Sequence, residues 1–92
     1  GPEGEGLLSF PRPGISIAVD LPARRGLQEL IDALNERVLA EGGRIYLAKD
    51  GYTRREHFRA MERERLRAFE QARRAWDPTG RLSSAQSRRL LE

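Results

Sequence analysis

Ile15-Ser16-Ile17-Ala18-Val19-Asp20-Leu21 alternates branched apolar residues with small or polar ones, a period of two that predicts a half-buried strand. Ile15, Ile17, Val19 and Leu21 would share the face that packs on a core, while Ser16, Ala18 and Asp20 look the other way. Pro11 and Pro13 exclude a helix before this stretch, and Pro22 ends it. From Leu27 the spacing becomes helical, with Leu27, Leu30, Ile31, Leu34 and Val38 on one stripe and Gly42-Gly43 as the C-terminal cap. Arg44-Ile45-Tyr46-Leu47-Ala48, bounded by glycines and by Asp50-Gly51, predicts a second strand. A right-handed crossover would leave the two strands parallel in one sheet, with room for another between them. The expected fold class is α+β, a strand-helix-strand unit followed by two or three helices.

Further along, Thr53-Arg54-Arg55-Glu56 has the form of a capping box, so a helix is expected from about Arg54. Phe58 and Met61 give that helix one turn of apolar face, and Leu66, Phe69 and Trp76 give it another. The five-residue step from Met61 to Leu66 fits no straight stripe, and it predicts a bend or break near Glu62 to Arg65. Asp77-Pro78-Thr79-Gly80 reads as a type I turn, and Ser83 with Gln86 as the cap of a last short helix carrying Leu90 and Leu91. Residues 1–6 read as a disordered or tag-like N-terminus, and residues 7–92 as a single unit.

With 92 residues, 38% hydrophobic and 34% charged, the chain has material for one core and little more. It contains no cysteine, which excludes disulfides, thiolate metal sites and a catalytic thiol, and fits a reducing cytoplasm. No apolar run approaches the roughly 20 residues of a membrane span, and no basic start followed by an apolar stretch marks a leader. The net charge of +3 comes from basic residues interleaved with acidic ones. A nucleic-acid footprint needs cations gathered on one face, so a solvated surface is the better reading and an Arg-rich nucleic-acid binder the weaker. Of 17 basic residues only Lys49 is lysine, which points to a need for a compact ammonium there or to chance.

Few residues here have the makings of catalytic groups. His57 is the single histidine, without a second ligand at metal spacing, and reads as packed or solvated; no metal site is expected. The carboxylates fall on helix faces opposite arginines, where no acid/base pair stands out. Tyr46 and Lys49 remain, three residues apart at the end of the second predicted strand. On a regular strand they would face opposite ways, and a turn beginning at Ala48 would bring them together. By spacing alone the residues favour the plainer arrangement, with Tyr46 in the core and Lys49 paired with Asp50 or with solvent.

The succession Ile15-Ser16-Ile17-Ala18-Val19-Asp20-Leu21-Pro22, a helix, Gly42-Gly43-Arg44-Ile45-Tyr46-Leu47-Ala48-Lys49-Asp50, a helix with Phe58 and Met61, then Arg73, Asp77-Pro78, Ser84 and Arg88-Arg89-Leu90 resembles the C-terminal end of FAD-linked oxidases of the vanillyl-alcohol oxidase type. The decaprenylphosphoryl-ribose oxidase branch is nearest and sugar-alcohol oxidases are further off. The likeness runs from about Leu8 to Leu91. It implies a cap or C-terminal region of an enzyme whose FAD is held mainly by an FAD-binding domain absent from this chain, and whose substrate is a sugar or polyol. It also implies that Lys49 lies at the pyrimidine edge of the flavin, where an ammonium stabilises the charge that builds up as hydride leaves the substrate. Tyr46 would line the active site beside it, and Ser16 and Ala18 the substrate pocket. The family more often has larger polar or thiol groups at those two positions, and commonly an aromatic residue and a proline where this chain has Glu62-Arg63. The alternative from a different class is a small self-associating interaction module, a homo-oligomer held by exposed apolar faces.

Overall fold

The computed structural model describes residues 1–92 and contains three α-helices, α1 (Leu27–Ala40), α2 (Arg55–Trp76) and α3 (Ala85–Leu90), with a 3-10 turn at Leu47–Lys49. It has no strand, so the α+β expectation is wrong. Ile15 to Leu21 runs as an open ribbon in which Ile15 is 95% exposed, Ile17 81% and Val19 64%. Alternation makes a strand only where a second strand accepts its backbone hydrogen bonds. The candidate partner is lost because Leu47–Lys49 winds into a turn instead of extending.

Helix α1 starts and stops where the apolar spacing places it. Its end is a Schellman cap: the Gly43 N–H donates to the Val38 carbonyl at 2.7 Å and the Gly42 N–H to Leu39 at 3.0 Å, with Gly42 at φ 68°. Only part of its stripe is covered. Leu27 and Asn35 are buried, whereas Leu30 and Leu34 face outward at 46% and 45% exposure, because α2 flanks one side of α1 alone.

Helix α2 carries the expected break. Arg63 stands at φ 28° and ψ −105°, a backbone conformation that a side chain resists. The stripe Phe58, Glu62, Leu66 keeps four-residue spacing by placing a carboxylate in the core-facing slot. Glu62, only 5% exposed, is held there by Arg65 at 2.6 Å, and Arg65 in turn donates to the carbonyl of Ser9. Glycine tolerates the Arg63 conformation, and relief of about 1–3 kcal/mol of strain exceeds the roughly 0.5–1 kcal/mol of extra chain entropy it introduces. Arg63→Gly is therefore expected to raise the urea unfolding midpoint; a lower midpoint would mean that the Arg63 backbone is not strained.

Two caps differ from expectation. Thr53 does not open α2 as a capping box, because its hydroxyl donates to Asp50 at 2.6 Å and accepts from Asn35 at 3.1 Å. At α3 the box is Ser84 with Ser87, at 3.0 and 2.8 Å, one residue past the expected Ser83–Gln86 pair. The turn after Trp76 forms as expected, with the Gly80 N–H donating to the Asp77 carbonyl at 3.1 Å. Trp76 itself does not join the core and is 91% exposed.

The core is Phe58, Leu66 and Leu90, flanked by Leu8, Leu47, Phe69 and Leu91, and it lies between α2 and α3. The accessible surface is 7140 Å². A self-contained globule of this mass exposes about 5,400 Å². No helix is long and apolar enough to cross a membrane.

Candidate functional site

Two backbone bonds close the 3-10 turn, from the Lys49 N–H to the Tyr46 carbonyl at 3.1 Å and from the Asp50 N–H to the Leu47 carbonyl at 3.3 Å. Tyr46 is the extended residue that enters the turn and Lys49 is its last residue, joined to Tyr46 by the first of these bonds. Tyr46 is half exposed and its ring packs against Phe10, the centroids 5.3 Å apart and the planes tilted by 49°. Lys49 is exposed and its ammonium has no ion-pair partner within the chain.

Asp50, next in sequence, is occupied elsewhere. Its Oδ1 accepts the Thr53 hydroxyl at 2.6 Å, the Thr53 N–H at 3.0 Å and the Tyr52 N–H at 3.4 Å, while Oδ2 accepts Arg89 at 3.0 Å. Burial pushes the Asp50 carboxyl up, but the hydrogen bonds from Thr53 and the Arg89 guanidinium outweigh it and leave its pKa below the ordinary 3.8. The folded chain therefore releases this proton more readily than the unfolded one. The resulting stability is fully present above 3.8 and is lost as pH falls through the lower folded value. Urea titrations of the wild type and Asp50→Asn from neutral pH downward are expected to show a stability gap that narrows below pH 3.8. A gap that stays constant would mean that Asp50 is not the titrating group.

Asp77 accepts the N–H groups of Leu82 and Arg81, which lower its pKa, and Asp32 is lowered chiefly by its hydrogen bond from Arg54. Asp77 caps the end of α2, and Asp32 ties α1 to the start of α2 through Arg54. His57 packs between α1 and α2, with Nε2 3.9 Å from Glu36 and Nδ1 buried without a hydrogen bond. No group of three or more His, Asp or Glu side chains is close enough to hold a metal.

Ser16 and Ala18 are exposed on the open ribbon, and two clefts, one lined chiefly by Phe69 and Trp76 and the other by Leu8, Phe58 and Leu90, include none of Ser16, Ala18, Tyr46 and Lys49. Sequence reasoning missed the polar hub of Asn35, Asp50, Thr53 and Arg89. Its one visible signal is Asp50-Gly51-Tyr52-Thr53, the spacing at which an aspartate accepts from backbone N–H groups two and three residues on.

No protein-family model matches the chain. Over 90 residues, 98% of its length, it is 44% identical to decaprenylphosphoryl-β-D-ribose oxidase of Mycolicibacterium smegmatis. The match covers 19% of that protein. The resemblance drawn from the sequence holds. A match of this extent is consistent with a C-terminal region of an FAD-linked oxidase. Over 86 residues, 92% of its length, the chain is also 44% identical to a Streptomyces coelicolor protein described as the uncharacterized protein in the mprA 5′ region, of which it covers 23%. The chain thus spans about a fifth of the length of the curated relatives it matches.

Proposed function

We propose that this chain is the C-terminal, substrate-side part of an FAD-dependent oxidoreductase that oxidises a CH–OH carbon of a sugar or polyol. The similarity to an oxidase of a ribose derivative supports the reading. The carrying observation is the unpartnered Lys49 ammonium on the same turn as Tyr46. Bound FAD would take up a hydride, and with it two electrons, from the substrate carbon, and a point cation at the edge where charge accumulates would favour that transfer. Lys49 fits that need, and Tyr46 fits the wall beside it. Nothing in this chain resembles a loop for the dinucleotide, so the flavin is held by an FAD-binding domain of the same protein. Ser16 and Ala18 on the ribbon are assigned to the substrate pocket, and the setting to the cytoplasm.

A second reading, self-association, is favoured by the exposure of Ile15, Ile17, Val19 and Trp76. Those same side chains are what a flavin-bearing domain would cover. The test is anaerobic mixing of the full-length protein with a phosphorylated pentose or a polyol while its flavin absorbance is followed. Bleaching is expected. A full-length protein that binds no flavin, with this chain forming concentration-dependent dimers, would establish the second reading instead.

A further inference from the structure

The Lys49 turn is held at both ends by one helix. The Gln86 amide donates to the carbonyl of Leu47, the first residue of the turn, at 2.7 Å. Arg89 donates to the Asp50 carboxylate at 3.0 Å and to the Asp50 carbonyl at 3.4 Å, just past the turn, and also to the carbonyl of Thr53. Gln86 and Arg89 are three apart on α3 and so lie on one face of it. Helix α3 is itself fixed. Leu90 is 1% exposed in the core, the Ser84–Ser87 box closes its start, and Arg55 and Arg59 donate to the carbonyls of Arg88, Arg89 and Leu91 at its end.

The same contacts decide the charge beside Lys49. A carboxylate offers about four acceptor positions. On Asp50, Oδ1 takes Thr53 twice and Tyr52, and Oδ2 is ion-paired with Arg89. The nearest carboxylate in sequence is therefore engaged by other donors and makes no ion pair with Lys49.

We propose that α3 is the positioning element for Lys49: Gln86 and Arg89 fix the turn that carries it, and Arg89 keeps Asp50 from neutralising it. This rests on the reading of Lys49 given above as the cation facing the flavin. Arg89 and Gln86 act through Lys49 and touch no substrate.

The experiment uses the full-length flavoprotein with Gln86→Ala, Arg89→Ala and Lys49→Met, singly and as the pairs that include Lys49→Met. Hydrogen exchange of peptides covering 46–50 is expected to speed up about five- to tenfold in Gln86→Ala, the factor for loss of one hydrogen bond. Exchange in α1 is expected to stay unchanged. The flavin reduction potential is expected to fall in each single variant, most in Lys49→Met. On the Lys49→Met background, Gln86→Ala and Arg89→Ala are expected to add no further drop. Rescue of the potential in Arg89→Lys above the Arg89→Ala value is also expected, since a cation remains to hold Asp50.

If Lys49→Met leaves the potential unmoved, the reading of Lys49 fails and this inference with it. If Lys49→Met lowers the potential while the α3 variants leave it unmoved, or lower it equally with and without Lys49, the reading of Lys49 stands and the role of α3 is overturned. Should Arg89→Ala not fold, Gln86→Ala decides alone, since it removes one side-chain hydrogen bond at the half-buried edge of the core and leaves the Phe58, Leu66 and Leu90 side chains in place.

Discussion

Lys49→Met in the full-length protein is expected to lower kcat about 10²- to 10³-fold with KM nearly unchanged, the loss typical of removing one preorganised charge from a transition state. Methionine keeps the length and apolar stem of the side chain, so the change isolates the ammonium. The folded chain should hardly notice, because Lys49 is exposed and makes no ion pair whose removal could destabilise it. Surface substitutions of that kind stay within about 0.5 kcal/mol. Thermal unfolding measured beside steady-state kinetics separates the two effects. A kcat within a few-fold of the wild type, at normal flavin content, would return Lys49 to the plain role of a solvated surface cation.

Phe58→Ala is expected to have the largest effect on stability, about 3–5 kcal/mol. Domains of this length retain roughly 5–14 kcal/mol in total. A core of three buried apolar side chains, Phe58, Leu66 and Leu90, places this one near the lower bound. The truncated ring would also open a void in the cluster against which Leu8, Leu47, Phe69 and Leu91 pack. Loss of the cooperative urea transition and of near-ultraviolet circular dichroism is the expected result. A cooperative transition displaced by less than 1 kcal/mol would show that the α2–α3 core is not what stabilises the fold.

The helices were legible because their signals are local. The spacing of Leu27, Ile31 and Val38 and the pair Gly42-Gly43 set α1 without reference to anything else in the chain. The break in α2 was legible as well, since no straight helix reconciles Met61 with Leu66, and Arg63 takes up the mismatch. The sheet was misread because strand pairing is not local. Ile15, Ile17 and Val19 alternate correctly, yet nothing within the 92 residues offers them a ladder. At the candidate site, Lys49 was visible as the sole lysine, but its neighbours were not. Gln86 and Arg89 reach the turn from 39 residues away in sequence, through contacts that no periodicity announces.

The way α1 is joined to the rest has a thermodynamic consequence. The large apolar side chains that share a core come from α2, α3 and the segments around them, whereas α1 is tied on by the Asn35–Thr53 hydrogen bond, the Arg54–Asp32 ion pair and the Gln28 amide on Tyr52, with Leu27 as its one buried apolar residue. Such links are worth little each, and the ionic one weakens further in salt. Amide hydrogen exchange is therefore expected to be faster in α1 than in the α2–α3 pair that cradles the lysine turn, and equal protection of the two would overturn that expectation.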